Sequence, residues 1–188
     1  RQTVAAIRQS ADRVRSHTAI LADLCGPKIR TGKFTGGSVE IATGTSVVVT
    51  ARDVMGDDHT IPSQYAALPS DVRPGNRILL NDGAVELGVE RVSGPDVECI
   101  VLAGGAVGDH KGINLPGVAV SAPSVTDKDR QDAKLALDLK VDFLALSFVR
   151  SAADIESLRR LTRASPGPPM IIAKIEKPKA LENNAEIV

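Results

Sequence analysis

The feature that most constrains the fold is a change of pattern near residue 27 that reverses near residue 121. On both sides the sequence alternates helical patterns with short apolar strands, whereas the middle has Val- and Ile-rich stretches separated by glycine turns. Two flanks of one pattern around a middle of another are typical of a domain that carries an inserted domain. We therefore divide the chain into residues 1–26, 27–121 and 122–188.

The flanks have the helix–strand rhythm of a parallel α/β layer. Residues 1–16 show apolar side chains at helical spacing, and the short buried strand "TAILADLCG" follows them. Thr126 with Asp129, and Ser151 with Asp154, predict helix starts through capping boxes; the first of these helices should run to about Lys140. "VDFLALSFV" and "PPMIIAKIE" are predicted buried strands, and "KPKALENNAEIV" is predicted to begin a further helix.

The middle segment is predicted to be an all-β module. "AVELGVERV" alternates, placing Val85, Leu87 and Val89 on one face, and short strands at this spacing indicate a small antiparallel barrel or sandwich. A single helical turn is expected near "PSQYAAL". The flanks supply only three parallel strands, fewer than an eight-stranded barrel or an open doubly wound sheet requires. This shortage favours a piece of a larger protein.

Composition excludes several function classes. Lys plus Arg equals Asp plus Glu at 23 each, so no global field favours nucleic acid or an anionic membrane. No apolar run approaches the length of about 20 residues that a membrane span needs. Cys25 and Cys99 lack metal-ligand spacing and are predicted to be free, buried thiols. His17 and His59 are predicted to lie on the surface.

Charged side chains follow the predicted parallel strands. In a barrel, functional groups lie at the carboxyl ends of strands, where this chain places Asp23, then Ser147 with Arg150, and finally Lys174 with Glu176. Lys174 and Glu176 are two residues apart and should share a face. A carboxylate can bind a hard metal ion and an ammonium can stabilise a developing oxyanion, but a structural Lys–Glu pair would show the same spacing.

The inserted segment begins and ends with basic side chains. "GPKIRTGKF" offers Lys28, Arg30 and Lys33, which could meet phosphate or form a solvated turn. "GGAVGDHKGINLPG" is rich in glycine and carries His110 and Lys111. It lacks the GxxxxGK[ST] spacing of a Walker loop, so on its own it is a weak signal of phosphate binding.

Five stretches, taken in order, resemble the pyruvate kinase family: "LADLCGPKIRTG", "ILLNDGAVEL", "HKGINLPGVAVSAPSVTDKDRQD", "VDFLALSFVRSAADI" and "IIAKIEKPKAL". The resemblance covers essentially the whole chain. It implies an α/β fold consisting of a partial (β/α)8 TIM barrel with an inserted all-β barrel that acts as a lid after the third strand.

The resemblance also implies an activity and its partners. Pyruvate kinases transfer a phosphoryl group from phosphoenolpyruvate to ADP in glycolysis, giving pyruvate and ATP. The implied cofactor is Mg2+, with Mn2+ as a substitute. The resemblance further implies a cytoplasmic location and a homotetrameric parent protein, with neither a nucleic-acid partner nor a membrane.

Four residues near the ends of the last two strands match the family's substrate and metal site. Lys174 matches the lysine beside the transferring phosphoryl group and the enolate oxygen. Glu176 matches one of two carboxylates that bind the catalytic Mg2+. Ser147 and Phe148 match the strand end that lines the substrate pocket.

Other matches concern the nucleotide and a monovalent cation. Arg30 and Lys111 match residues that face the nucleotide side of the cleft. Asp23 and the carbonyl of Leu24 match the family's potassium site. Lys28 stands where many potassium-dependent members carry glutamate, and its ammonium can replace the ion internally. The resemblance therefore implies that K+ is not required.

Parts of the family's site have no match in residues 1–188. The phosphate-binding arginine and the second Mg2+ carboxylate belong to strands that this sequence lacks, so we expect the chain by itself to be inactive. Two alternatives remain at this stage. One is another phosphoenolpyruvate or pyruvate barrel, such as an aldolase or lyase, although such barrels do not usually carry this lid. The other is a non-catalytic, pyruvate-kinase-like binding module.

Overall fold

The computed structural model describes all of residues 1–188, which form six α-helices and eleven β-strands. In chain order these are α1 (Gln2–Val14), β1 (Leu21–Leu24), β2 (Ser38–Ile41), β3 (Ser46–Thr50), β4 (Thr60–Pro62), α2 (Leu68–Asp71), β5 (Arg77–Leu80), β6 (Val85–Ser93), β7 (Asp96–Ala103), β8 (Gly105–Gly108), β9 (Ile113–Asn114), α3 (Asp127–Asp138), β10 (Phe143–Leu146), α4 (Ala152–Thr162), β11 (Met170–Ala173), α5 (Pro178–Glu182) and α6 (Asn184–Ile187). The chain divides into two compact units: residues 1–27 with 123–188, and residues 28–122.

The first unit contains a three-stranded parallel sheet in the order β1-β10-β11. The register pairs Leu24 with Leu146 and Leu146 with Ala173. All three strands therefore end at the same level. The residues that follow the strands therefore lie together at one edge of the sheet. The charged side chains that the sequence placed at the strand ends are found at this edge.

Two amphipathic helices cover this sheet. Helix α3 begins as predicted at a capping box: Thr126 Oγ1 accepts from the Asp129 amide, and the Asp129 carboxylate accepts from the Thr126 amide. The buried residues of α3 and α4 include Ala133, Ala136, Ile155 and Leu158, which join the strand residues in one core. The remaining buried members of that core are Ile20, Leu24, Val125, Val141, Leu144, Leu146, Val149, Ala180 and Ile187.

Several elements are shorter than the sequence predicts. The strand expected from Pro168 begins at Met170, because proline has no amide to donate to a ladder. It ends at Ala173, where its partner strand also ends, so Lys174 and Glu176 lie just beyond it. The expected C-terminal helix is divided into α5 and α6 at Asn183, whose side-chain amide donates to the carbonyl of Arg150 at 2.8 Å.

The outer elements of the first unit carry exposed apolar side chains. Helix α1 ends at a left-handed Arg15 and has no buried residue, although Ile7 and Val14 lie on its apolar stripe. Leu21 on β1 is 49% exposed and Met170 on β11 is 62% exposed. These two strands are the edges of the sheet. None of the helices combines the length and apolar character that crossing a membrane requires.

The second unit is built from β-structure. Six strands form one sheet in the order β4-β3-β7-β6-β5-β9, and β2 pairs with β8 in a two-stranded sheet. The pairing is antiparallel as expected, except that β3 and β4 run parallel. Val85, Leu87 and Val89 alternate inward on β6 as predicted, and Val97 and Cys99 do so on β7. Its one α-helical turn is α2, which begins at the last residue of the predicted stretch, and two short 3-10 turns lie at Thr35–Gly37 and Asn81–Gly83.

The two cysteines differ in exposure. Both are free thiols, as predicted. Cys99 is buried inside β7, but the prediction for Cys25 is wrong because this residue is exposed. Cys25 follows the last residue of β1, where the chain leaves the sheet and turns at Gly26 with a φ of 64°. His17 and His59 are exposed, as predicted.

Candidate active site

A cluster of four polar side chains lies at the common carboxyl edge of the parallel sheet. We call Asp23, Ser147, Lys174 and Glu176 the strand-end cluster. Asp23 is the last residue but one of β1, Ser147 follows β10 directly, and Lys174 follows β11 directly. The amide of Lys174 donates to the carbonyl of Leu146 at 3.0 Å, which fixes where its side chain leaves the backbone.

The ammonium of Lys174 is the centre of this cluster. Its Nζ donates to Asp23 Oδ2 at 2.9 Å and to Ser147 Oγ at 3.0 Å, and it lies 3.4 Å from Glu176 Oε1. The hydrogen bond to Asp23 is the main cause that raises the pKa of Lys174; burial opposes it, and the charge of Glu176 adds to it. Lys174 therefore carries its positive charge at neutral pH.

The hydroxyl of Ser147 connects the outer strands through the middle one. It is buried, it accepts from Lys174, and it lies 2.6 Å from the carbonyl oxygen of Leu24 and 3.2 Å from Asp23 Oδ1. A hydroxyl has one proton to donate, and the shorter distance shows that Ser147 donates it to the carbonyl of Leu24. The carbonyl of Leu24 and the carboxylate of Asp23, predicted as monovalent-cation ligands, thus both have protein donors beside them.

Glu176 is held from its other side by the backbone. Its Oε2 accepts from the amide of Phe148 at 2.9 Å, while Oε1 faces Lys174. Phe148 has a φ of 57°, in the left-handed region that bulky residues seldom occupy. The side chain of Glu176 is 34% exposed, so its oxygens remain accessible from solvent.

The residues present fit part of a magnesium site. Mg2+ is commonly bound by one or two carboxylates together with water and substrate phosphate oxygens. No group of three or more His, Cys, Asp and Glu residues comes close enough to hold a metal ion. Glu176 can supply one carboxylate ligand, whereas the Asp23 carboxylate is paired with Lys174. This chain therefore provides an incomplete protein ligand set.

Arg150 is not part of the strand-end cluster, although it also follows β10. Its guanidinium donates to Ser124 Oγ at 2.7 Å and lies 3.7 Å from the carboxylate of Asp154. Its amide donates to the same carboxylate at 2.7 Å. These contacts tie Arg150 to the start of α4.

The two cations predicted to face the nucleotide, Arg30 and Lys111, lie on paired segments of the second unit. The guanidinium of Arg30 donates to the carbonyl of His110 at 3.0 Å, and the backbone of Arg30 bridges to Gly112. The amide of Lys111 donates to Thr31 Oγ1 at 2.9 Å. Arg30 and Lys111 are thus adjacent on paired segments, whereas Lys28 is exposed two residues earlier.

A cavity of about 570 Å3 lies within residues 28–122. Its polar lining includes Lys33, Arg52, Gln64 and His110, and its apolar lining comes from Val54, Met55, Pro62 and Ala66. Neither Arg30 nor Lys111 lines it. The Arg52 guanidinium is already paired with Asp96, and His110 Nδ1 lies 3.0 Å from Gln64 Nε2.

Two relationships in the site go beyond what the sequence predicts. The first is the contact of Asp23 with Lys174. It could be predicted only from the register of the three parallel strands. The second concerns Gly26, which lies in the turn after β1. Gly26 has a φ of 64°, and a Cβ added there would lie 2.9 Å from the carbonyl oxygen of Ser147. The turn therefore packs directly against the site.

The geometry defines an α/β domain whose polar side chains gather at the carboxyl edge of a parallel sheet, the edge where such domains carry their sites. The family model for the pyruvate kinase barrel domain matches residues 1–188. The chain belongs to the pyruvate kinase family.

Relatives and solved structures agree with this assignment. A pyruvate kinase of Corynebacterium efficiens is 43% identical over 182 residues, covering 97% of this chain and 38% of the relative. A pyruvate kinase of Clostridium perfringens is 37% identical over 190 residues, covering all of this chain and 40% of the relative. The crystal structure of a pyruvate kinase from Cryptosporidium parvum superposes with a TM-score of 0.87 at 34% identity, covering 98% of this chain and 40% of that one. The chain thus spans about two fifths of the length of the proteins it matches.

Proposed function

We propose that this chain forms the central part of a pyruvate kinase that transfers a phosphoryl group from phosphoenolpyruvate to ADP, giving pyruvate and ATP. The observation that carries the proposal is the position of the Lys174 ammonium. It is held by Asp23 and Ser147 and lies 3.4 Å from a carboxylate oxygen of Glu176. A fixed cation beside a metal-binding carboxylate suits a reaction that needs positioning and charge neutralisation.

Each residue of the site has a role in this proposal. Lys174 neutralises negative charge on the transferring phosphoryl group and on the enolate oxygen. Glu176 would hold Mg2+, with Mn2+ as a substitute, and such an ion would supply neutralisation of phosphoryl charge. Ser147 and Phe148 line the substrate pocket. Arg30 and Lys111 face the nucleotide, whose phosphates are suited to charge-assisted contacts with cations.

The proposal extends to the rest of the enzyme. Residues 28–122 would act as a lid that excludes water, and the flanking strands would belong to a (β/α)8 barrel. K+ is not required, since Lys28 supplies a monovalent positive charge and Asp23 is already paired with Lys174. The complete enzyme would be a homotetramer that serves glycolysis in the cytoplasm, and residues 1–188 alone would be inactive.

A chimera tests the proposed function. Residues 1–188 replace the matching segment of the Corynebacterium efficiens pyruvate kinase, and pyruvate formation is measured with phosphoenolpyruvate, ADP and Mg2+, with and without K+. We expect activity in the chimera, none in residues 1–188 alone, and a loss of about 100-fold or more in kcat for Lys174→Met. The matched control is Lys179→Met, which changes an exposed lysine paired with Glu182. A folded chimera without activity would reject the proposal.

A further inference from the structure

The backbone of Phe148 has an unusual conformation at a point that matters for Glu176. Its φ of 57° is strained for a residue with a bulky side chain, and its amide donates to Glu176 Oε2 at 2.9 Å. Such a conformation persists only when the surroundings enforce it. In the ordinary helical or extended regions the amide would point elsewhere, and Glu176 would lose this donor.

Two neighbours hold the ring of Phe148. The first is the backbone of Gly26, which approaches so closely that a Cβ there would lie 3.3 Å from Phe148 Cδ2. The second is the ammonium of Lys177, which lies 5.1 Å from the ring centroid. This distance is within the range in which a cation is attracted to the face of an aromatic ring. Lys177 is half-buried and directly follows Glu176.

We propose that Lys177 is a positioning residue for Glu176. Its ammonium holds the Phe148 ring, the held ring keeps the Phe148 backbone left-handed, and the left-handed backbone directs its amide to the Glu176 carboxylate. Two consecutive residues thus contact Phe148: Glu176 accepts a hydrogen bond from its backbone amide, and Lys177 lies over its ring. The arrangement fixes Oε2 of Glu176 while Oε1 faces Lys174.

The metal-binding consequence rests on the proposed function, whereas the positioning itself does not. If Glu176 binds Mg2+, the proposed contribution of Lys177 to metal binding comes through the orientation of that carboxylate. Groups that orient a ligand in this way typically contribute about 10- to 100-fold to metal affinity. If Lys177 acted only as a surface charge, its substitution would leave the backbone of Phe148 unchanged. If it is a positioning residue, its substitution changes that backbone.

The positioning is tested on residues 1–188 by selective 15N labelling of phenylalanine. The chain has three phenylalanines, Phe34, Phe143 and Phe148, so the spectrum contains three backbone amide signals. The signals of Phe34, whose amide donates to Asp109, and of Phe143, whose amide donates to Ile20, report that each unit is folded. The measured quantities are the Phe148 amide shift, its three-bond coupling to Hα and its rate of exchange with water.

We expect Lys177→Met to change the Phe148 coupling and to speed its amide exchange about 2- to 30-fold, the range that one lost cation–π contact implies. Lys177→Arg should restore both values, because a guanidinium also binds an aromatic face. Lys179→Met should leave them unchanged. The proposal is overturned if Lys177→Met matches the parent while Phe34 and Phe143 show a folded chain, or if Lys179→Met has the same effect.

The consequence for Glu176 is tested in the chimera. Lys177→Met should raise the Mg2+ concentration for half-maximal rate about tenfold, with a smaller change in kcat at saturating Mg2+, and Lys177→Arg should reverse the increase. An unchanged Mg2+ requirement, with Phe148 loosened, would overturn the role of Lys177 in positioning Glu176. An inactive parent chimera would instead reject the proposed function and leave the phenylalanine measurements to decide the positioning.

Discussion

Lys174 Nζ lies 2.9 Å from Asp23 Oδ2, although the two residues are 151 positions apart in the sequence. They lie at the ends of the two outer strands of the sheet, with β10 between them. Neighbouring strands are about 4.8 Å apart, so a contact across the middle strand must span roughly twice that distance. A lysine side chain is long enough to reach, and Ser147 at the end of β10 supports it midway.

This ion pair predicts a dependence of stability on alkaline pH. The hydrogen bond to Asp23 raises the pKa of Lys174 above its ordinary value of 10.5. A raised pKa in the folded state means that the contribution is complete below 10.5 and is lost as the pH rises through the folded value. Asp23→Asn should therefore flatten the alkaline fall in the free energy of unfolding, measured by urea titration from neutral pH upward.

The size of this effect should be small. The side chains of Lys174 and Asp23 are 31% and 50% exposed, so solvent screens the pair and we expect a change below about 1 kcal/mol. Asp12→Asn, which alters an exposed carboxylate on α1, serves as the control. A steeper alkaline fall in Asp23→Asn than in the parent would contradict the assignment of the raised pKa to Asp23.

Alanine should not be tolerated in place of Gly26. Its φ is 64°, and a Cβ would lie 2.9 Å from the carbonyl oxygen of Ser147, which belongs to the backbone and has little freedom to move. Left-handed alanine costs about 1–2 kcal/mol, and the clash adds to this cost. We expect Gly26→Ala to lower the free energy of unfolding by about 3 kcal/mol or more, measured by chemical denaturation.

Gly36→Ala is the matched control for this substitution. Gly36 also has a positive φ, 78°, but a Cβ there meets nothing within 4 Å. Gly36→Ala should therefore show only the conformational cost of about 1–2 kcal/mol. Equal losses in the two variants would mean that the contact with Ser147 does not limit this turn.

The two cysteines predict selective labelling. Cys25 is exposed, whereas Cys99 is buried and burial raises its pKa to about 12. The thiolate is the reactive form, so Cys99 is protected by both its environment and its protonation. Under native conditions a maleimide should label Cys25 alone, as measured by intact mass and peptide mapping. Cys25→Ser should abolish native labelling, and rapid labelling of Cys99 in the folded chain would contradict the buried position.

The hydroxyl of Tyr65 holds the C-terminal end of the second unit through a network of hydrogen bonds. Its hydroxyl donates to Asp71 Oδ2 at 2.5 Å and accepts from the amide of Ala122 at 3.1 Å, and the same carboxylate oxygen accepts from the amide of Ser121. Tyr65→Phe removes the hydroxyl and leaves the Ala122 amide without this acceptor. We expect a loss of about 1 kcal/mol in the free energy of unfolding.

The control for Tyr65→Phe is a variant of the same network. Ser121→Ala removes a hydroxyl whose contacts, at 3.0 Å to Tyr65 and 3.2 Å to Asp71, are longer. The Ser121 amide keeps its bond to Asp71. Ser121→Ala should therefore cost less than Tyr65→Phe in the same urea titration, and the reverse order would show that the tyrosine hydroxyl is not the centre of this network.

Much of the fold could be predicted because local patterns determined it. The capping box of Thr126 and Asp129 and the alternation of Val85, Leu87 and Val89 depend on nearby residues only, and both were found as expected. The exposure of Cys25 was missed because it depends on where the chain leaves β1. No local pattern gives that position, which the pairing with β10 determines.

In the site, too, features that depend on nearby residues could be predicted and features that depend on tertiary contacts could not. The spacing of Lys174 and Glu176 predicted one face of a strand; both residues lie just beyond β11, and the structure still brings their charged groups to 3.4 Å. The contact of Lys174 with Asp23 depends on strand order and register, which the sequence alone does not specify. The left-handed backbone of Phe148 depends on neighbours from separate segments, so periodicity and propensity carry no signal for it.

The edges of the parallel sheet predict self-association of residues 1–188. β1 and β11 each have one side without a partner strand, and both carry an exposed apolar residue, Leu21 and Met170. Unpaired edges with apolar side chains promote pairing between chains, and a lysine on the edge opposes it. Leu21→Lys with Met170→Lys should therefore shift the sedimentation profile toward monomer. Val54→Lys with Met55→Lys, at exposed apolar positions of the second unit, is the control and should have little effect. A parent chain that sediments as a monomer at all concentrations would show that these edges do not drive association.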